Sequence, residues 1–94
     1  MRSRWKATGV NLRKHGVSFE DAATVFFDPL ALTFQDPYHY NGEEREITIG
    51  HSSRRRVLFV SHSQRGERVR IISAREATRG ERKQYEEGIG EEKI

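Results

Sequence analysis

The side chains best suited to chemistry in this sequence are basic and aromatic residues near the ends of predicted elements. Arg75 is the first candidate, because it lies where the last predicted strand passes into the final predicted helix. A guanidinium group stays charged at any relevant pH and binds phosphate oxygens in pairs. Arg75 could instead be a surface arginine that forms an ion pair with Glu76 or Glu81.

Lys14 and His15 end the first predicted helix, inside a basic segment. The His15 imidazole can exchange protons near neutral pH, so it is a candidate general acid or base, and Lys14 is a candidate phosphate ligand. In the alternative interpretation, His15 only ends the helix, where it bonds the last carbonyl groups and lies at the negative end of the helix dipole.

The final predicted helix carries three more candidates, Glu81, Arg82 and Tyr85. Tyr85 could stack on a base or transfer a proton, but it is also the one residue that would anchor this polar helix to the core. Thr78 and Glu81 have the spacing of a capping box, so Glu81 is better explained as a cap than as a base, although it could serve both purposes. Arg82 is a candidate phosphate ligand.

Two further arginines begin predicted strands. Arg45 opens the second strand as a phosphate-binding candidate and Arg56 opens the third as a catalytic candidate, and both could share a sheet face with Arg75. The sequence does not determine the register that would decide this.

No metal site or other cofactor is expected. The chain has no cysteine, which excludes disulfides, thiolate metal sites and a cysteine nucleophile. A histidine metal site needs ligands at regular spacing with a carboxylate. The other histidines are instead scattered over loops and strand ends: His39, His51 and His62.

Hydrophobic periodicity and turn residues predict an α+β fold with a four-stranded antiparallel meander, two N-terminal helices and one C-terminal helix. A short extra N-terminal strand is an optional addition. Gly16 suits the end of the first helix, and Ser18 with Asp21 three residues later suits the start of the second. The helices are predicted at about 10–15, 19–27 and 78–87, the strands at about 32–35, 45–50, 56–63 and 67–73, and a hairpin turn at 64–66.

The length of 94 residues predicts one domain, at 1–87, followed by a polar tail at 88–94. The basic residues at 1–6 precede no apolar stretch, and no run reaches membrane-spanning length, so a cytoplasmic location is expected.

Charge is divided into blocks along the chain. Residues 1–20 hold five basic residues and one acidic residue, and residues 47–83 hold ten basic and three acidic residues. The other two blocks are acidic: residues 21–46 hold one basic and six acidic residues, and residues 84–94 hold one basic and four acidic residues. The two basic blocks would attract a polyanion if the fold brings them together, although solvated faces would explain them equally well.

Several stretches taken together resemble the BrnT toxin family. They are residues 11–20, the Phe-Phe-Asp-Pro sequence at 26–29, residues 45–50, the Ile-Ser-Ala-Arg sequence at 72–75, and Glu81 with Tyr85. The order of these motifs carries the resemblance. The N-terminus departs from the family pattern, since Ala7 stands where a lysine is usual and Lys6 follows Trp5 where an acidic residue is usual. No role is assigned to that segment.

The resemblance implies a RelE-like ribonuclease toxin that cleaves RNA and is neutralised by a cognate antitoxin, through which it also reaches operator DNA. A metal-free ribonuclease needs a base for the 2′-hydroxyl, cations for the phosphate and an acid for the leaving oxygen. The sequence alone leaves two alternatives open: a module that binds RNA or DNA without cutting it, and a structural partner whose acidic middle block docks a basic protein.

Overall fold

The N-terminal part of the chain is helical. The computed structural model describes residues 2–37 and 44–91. It begins with α1 (Arg2–His15), followed by α2 (Phe19–Ala23) and a 3-10 turn (Thr24–Phe27). The optional N-terminal strand is therefore wrong, and the first helix is longer than predicted. No proline interrupts residues 2–15, so nothing local stops the helix from extending.

The link between α1 and α2 follows the local signals in the sequence. Gly16 has a φ of 74° and donates its N–H to the Leu12 carbonyl at 2.8 Å, which ends α1. The Ser18 hydroxyl accepts the Asp21 N–H at 3.0 Å, which starts α2. Both contacts are the ones that left-handed glycine and serine N-caps make.

The sheet is an antiparallel meander in the order β1-β2-β3-β4. Its strands are β1 (Leu32–Gln35), β2 (Glu46–His51), β3 (Val57–Arg65) and β4 (Arg68–Glu76), and α3 (Arg79–Glu91) follows them. The turn joining β3 to β4 is at residues 66–67, with Gly66 at a φ of 60°, slightly later than predicted. The predicted α+β class and meander are confirmed.

Helices cover both faces of the sheet. On the α1–α2 face, Leu58, Val60 and Ala74 pack with residues of the early helical layer: Val17, Ala22 and Val25. On the α3 face, Ile47, Ile49 and Val57 pack with Tyr85 of α3. Three layers result, with the sheet in the middle.

The C-terminal helix is longer than predicted, because it continues past residue 87 to Glu91. Gly88 allows α3 to pack closely against β1, because a Cβ at that position would lie 2.8 Å from the Cδ1 atom of Leu32. The boundary between a domain at 1–87 and a tail remains a prediction.

Asn11 joins α1 to the sheet. Its buried amide donates to the carbonyls of Val17 at 2.7 Å and Ala74 at 2.8 Å and accepts the Ala74 N–H at 3.1 Å. Asn11 thereby satisfies polar backbone groups of the α1–α2 link and of β4.

Asn11→Ala is expected to lower the free energy of unfolding by about 2–4 kcal/mol, because it leaves buried backbone groups without partners. Chemical denaturation measures the change. Leu12→Ala is the matched control, since the neighbouring Leu12 side chain is half exposed and its loss should change stability by only about 0.5 kcal/mol. Equal effects of the two substitutions would contradict the role given to Asn11.

Candidate active site

Three elements meet at Asp28, which follows the 3-10 turn. One carboxylate oxygen of Asp28 accepts the Leu30 N–H at 2.9 Å. The other accepts the backbone N–H of His51 at 2.8 Å and the hydroxyl of Tyr85 at 2.6 Å. Asp28 therefore joins the segment that leads into β1, the end of β2 and the middle of α3.

Gly50 permits this approach. A Cβ at Gly50 would lie 2.9 Å from the Ala31 Cβ atom and 3.1 Å from the Asp28 carboxylate. A side chain here would push the 3-10 turn and the following link away from the end of β2. Glycine at this position is therefore required for Asp28 to reach His51.

The pKa of Asp28 is lowered and the pKa of Tyr85 is raised. Partial burial raises the pKa of Asp28, but hydrogen bonds from the Tyr85 hydroxyl and from the His51 and Leu30 N–H groups outweigh it, and the pKa lies below its usual value. Burial and the Asp28 carboxylate raise the pKa of Tyr85 to about 12. At neutral pH, Asp28 is an anion and Tyr85 is a protonated phenol that donates to it.

The hydrogen bond from Tyr85 to Asp28 determines the tautomer of His51. Its Nδ1 atom lies 3.0 Å from the Tyr85 oxygen. Since the single phenol proton points to Asp28, the Tyr85 oxygen accepts from His51, and the proton of neutral His51 is on Nδ1. The Nε2 atom is then the basic nitrogen. Because the His51 side chain is exposed, this arrangement suits a general base.

A pocket of about 360 Å³ opens beside His51. Its wall combines an aromatic ring, an imidazole, a carboxylate and hydroxyl groups. The lining residues are Thr24, Phe27, Asp28, His51, Ser52 and Ser53.

Arg75 lies on the α3 face of the sheet, since it pairs with Phe59 of β3. Its guanidinium lies 4.0 Å above the Phe59 ring and donates to the two carboxylate oxygens of Glu81 at 2.8 and 2.9 Å. Glu81 raises the pKa of Arg75, and Arg75 lowers that of Glu81. Arg75 therefore lies on the face of the sheet opposite α1 and α2.

Glu81 also caps α3, as predicted. It accepts the Thr78 N–H at 2.9 Å, while the Thr78 hydroxyl accepts the Glu81 N–H at 3.2 Å. Tyr85 lies four residues further along the same helix, and residues at this spacing are neighbours on one helix face. α3 thereby places the Arg75–Glu81 pair close to the Tyr85–Asp28–His51 cluster.

Arg56 belongs to the other side of the sheet. It donates to the buried Asp21 carboxylate at 2.8 Å, to Glu76 at 3.3 Å and to the Gly16 carbonyl at 3.1 Å. Asp21 is the main cause of its raised pKa. These contacts hold the α1–α2 link against β3 and do not place Arg56 on the face of Arg75.

The remaining predicted residues lie apart from this cluster. Lys14 and His15 are exposed at the end of α1, in the layer opposite Tyr85. Arg82 is exposed on α3, and half-buried Arg45 lies just before β2, where its carbonyl accepts the Asp36 N–H at 2.8 Å. The roles of these four residues in RNA binding or catalysis remain predictions.

The other two histidines are not part of this cluster. His62 is 3% exposed on the α1–α2 face, where its Nε2 atom lies 2.7 Å from the Thr48 hydroxyl. Burial lowers its pKa despite the nearby Glu46 carboxylate, so His62 stays neutral within the sheet. His39 lies outside the described residues.

Within 2–37 and 44–91, no group of three or more metal-binding side chains is arranged to hold an ion. None of the helices in these ranges is long and apolar enough to cross a membrane.

The family assignment rests on a match over most of the chain. Residues 5–81 match the family model described as the ribonuclease toxin, BrnT, of type II toxin–antitoxin systems. The chain belongs to the BrnT family. No curated protein matches it. BrnT membership implies an RNA substrate and an antitoxin partner. Within this structure, the cluster of Asp28, Tyr85 and His51 is the strongest candidate for proton transfer.

Asp28 and His51 were missed as functional residues by the sequence analysis. Two sequence signals point to them: Asp28 precedes a proline at the end of a helical segment, and His51 follows a glycine at the end of a strand. Each signal is weak alone, because many turns have these residues.

Proposed function

We propose that this BrnT protein is a metal-independent endoribonuclease that acts in the cytoplasm and is neutralised by a cognate antitoxin. One observation carries the proposal: the Tyr85 hydroxyl, which donates to Asp28 at 2.6 Å, lies 3.0 Å from the Nδ1 atom of the exposed His51 imidazole and leaves Nε2 as its basic nitrogen. A base with this tautomer can remove the proton of a ribose 2′-hydroxyl without a metal ion.

The proposed reaction is an intramolecular displacement at phosphorus. The His51 Nε2 atom takes the proton of the 2′-hydroxyl, the 2′-oxygen forms the new bond to phosphorus, and the bond to the 5′-oxygen breaks. Water supplies the proton of the leaving oxygen, and the hydroxide that forms takes the proton from His51, which returns the base to its starting state. The products are a 2′,3′-cyclic phosphate and a 5′-hydroxyl end.

Arg75 is the proposed phosphate ligand. Its guanidinium is half-buried and has a planar face covered by Phe59, which limits its freedom. An RNA phosphate would replace the Glu81 carboxylate as the bidentate partner, because the two anions have similar geometry. This exchange would bring the cation to the growing negative charge without disturbing β4.

The antitoxin belongs to the same proposal. We expect it to cover the α3 side of the molecule, where it would block His51 and Arg75 together, and to link the toxin to operator DNA. Binding only to the folded toxin would also stabilise it by mass action.

The purified protein should cut single-stranded RNA into fragments with cyclic phosphate ends, and excess EDTA should leave the rate unchanged. Denaturing gels and mass spectrometry of the ends measure both results. In bacteria, the protein alone should stop growth, and co-expression of the neighbouring gene should restore it. Loss of cleavage with EDTA and recovery with a divalent ion would contradict the mechanism. Salt-sensitive binding without any product would favour a non-catalytic binding module.

A further inference from the structure

Among the large apolar side chains at residues 8–37, 44–64 and 66–88, Phe27 is the most exposed, with 84% of its surface accessible. It ends the 3-10 turn, next to Asp28. Exposed apolar surface is unfavourable in water, so a ring in this position contributes little to folding. It is instead available to a ligand.

The backbone that carries Phe27 is fixed on both sides. The Thr24 hydroxyl accepts the Ser53 N–H at 2.8 Å and donates to the Asp21 carbonyl at 2.6 Å. On the other side, Asp28 is bound to β2 and α3, as described above. The ring of Phe27 therefore projects from a rigid element, which reduces the entropy lost when a ligand binds.

The surroundings of Phe27 combine apolar surface with polar groups. It shares the pocket of about 360 Å³ with His51 and the exposed Ser53. Arg54 and Arg55 follow directly and are both exposed. An aromatic face beside polar groups and cations is typical of sites for single-stranded nucleic acid, where bases stack on rings and arginines bind the backbone.

We propose that this pocket is a nucleobase subsite, in which the base next to the bond to be cut stacks on Phe27. Arg54 and Arg55 bind the adjacent phosphates, and the Ser53 hydroxyl contacts the edge of the base. The inference deepens the proposed function, because it identifies where the RNA base lies relative to His51. It implies that Phe27 stacks on any base and that Ser53, which contacts the edge of the base, determines base preference.

The test uses a single-stranded RNA oligonucleotide with 2′-O-methyl groups throughout, which can bind but has no free 2′-hydroxyl for cleavage. Fluorescence anisotropy should show that Phe27→Ala weakens binding about 5- to 150-fold, the range for loss of one stacked base. Phe27→Tyr, which keeps an aromatic face, should retain wild-type affinity. Leu30→Ala is the matched control, since Leu30 is also an exposed apolar residue nearby, and it should leave affinity unchanged.

The phosphate contacts have a separate readout. Arg54→Gln should weaken binding to all sequences alike and reduce the slope of log affinity against log salt concentration by about one. Thermal unfolding of each variant should match the wild type, because these side chains are exposed.

Each outcome distinguishes the subsite from the ribonuclease proposal. If Phe27→Ala binds the methylated RNA as tightly as the wild type, or if the wild type does not bind it, the subsite is overturned even when natural RNA is cut. If Phe27→Ala only weakens the complex with the protein encoded by the neighbouring gene, the surface binds protein and the subsite is again overturned. Phe27-dependent binding without cleavage of natural RNA would support the subsite and contradict the catalytic proposal.

Discussion

His51→Gln is expected to lower the rate constant of RNA cleavage about 10²- to 10⁴-fold, the range for loss of a general base. The glutamine side chain keeps a polar group near Tyr85 but cannot take the 2′-hydroxyl proton at neutral pH. Binding of the methylated RNA should remain, because base stacking and phosphate contacts are retained. Single-turnover cleavage of an end-labelled RNA measures the rate.

His15→Gln is the matched control, since His15 is also an exposed histidine, but it lies at the end of α1 in the layer opposite Tyr85. Because His15 and His51 are alternative candidates for the base, His15→Gln should cut RNA at the wild-type rate if His51 has that role. The reverse result, with His15→Gln inactive and His51→Gln active, would make His15 the base and refute the proposed mechanism.

Tyr85→Phe separates positioning from proton transfer. It removes the oxygen that lies 3.0 Å from the His51 Nδ1 atom, so His51 loses its fixed tautomer while its ring remains. Loss of such supporting hydrogen bonds reduces activity about 10- to 100-fold at metal-bound histidines, and we expect a similar loss here. The loss should appear in kcat rather than KM.

Arg75→Gln is expected to lower kcat/KM about 10²- to 10³-fold, because it removes the cation that stabilises charge growing on the phosphate. Arg75→Lys should restore only part of the activity, since an ammonium group lacks the planar pair of donors. Steady-state cleavage over a range of RNA concentrations measures both variants.

Glu81→Gln provides the opposite change at the same pair. It removes the negative charge that occupies Arg75 at 2.8 Å but keeps an oxygen that can accept the Thr78 N–H. RNA binding should become tighter, while the free energy of unfolding falls by about 1 kcal/mol. If both Arg75→Gln and Glu81→Gln lower stability and neither changes cleavage, the pair is only structural.

Local interactions explain why the elements could be predicted. The Ser18 cap and the Thr78–Glu81 capping box join residues three apart, so their geometry is already contained in the sequence spacing. The alternation of apolar residues similarly predicted the four strands and the α+β class, and the order of motifs identified the family. The sequence also offered Glu76 or Glu81 as an ion-pair partner for Arg75, and the partner in the structure is Glu81.

The candidate site depends on contacts over long sequence separations. Asp28 meets His51 across 23 residues and Tyr85 across 57, and no spacing rule reports such contacts. They require α3 to cross the sheet on the face opposite α1 and α2, and both faces carry apolar residues that could receive a helix. α3 lies on this face because Tyr85 packs against Ile49 and Val57, and because Gly50 lets Asp28 approach. The sequence by itself therefore determined the helices, the strands and the family of this protein. Only the tertiary structure brought His51, a histidine at the end of a strand, into the candidate site, because its partners come from distant parts of the chain.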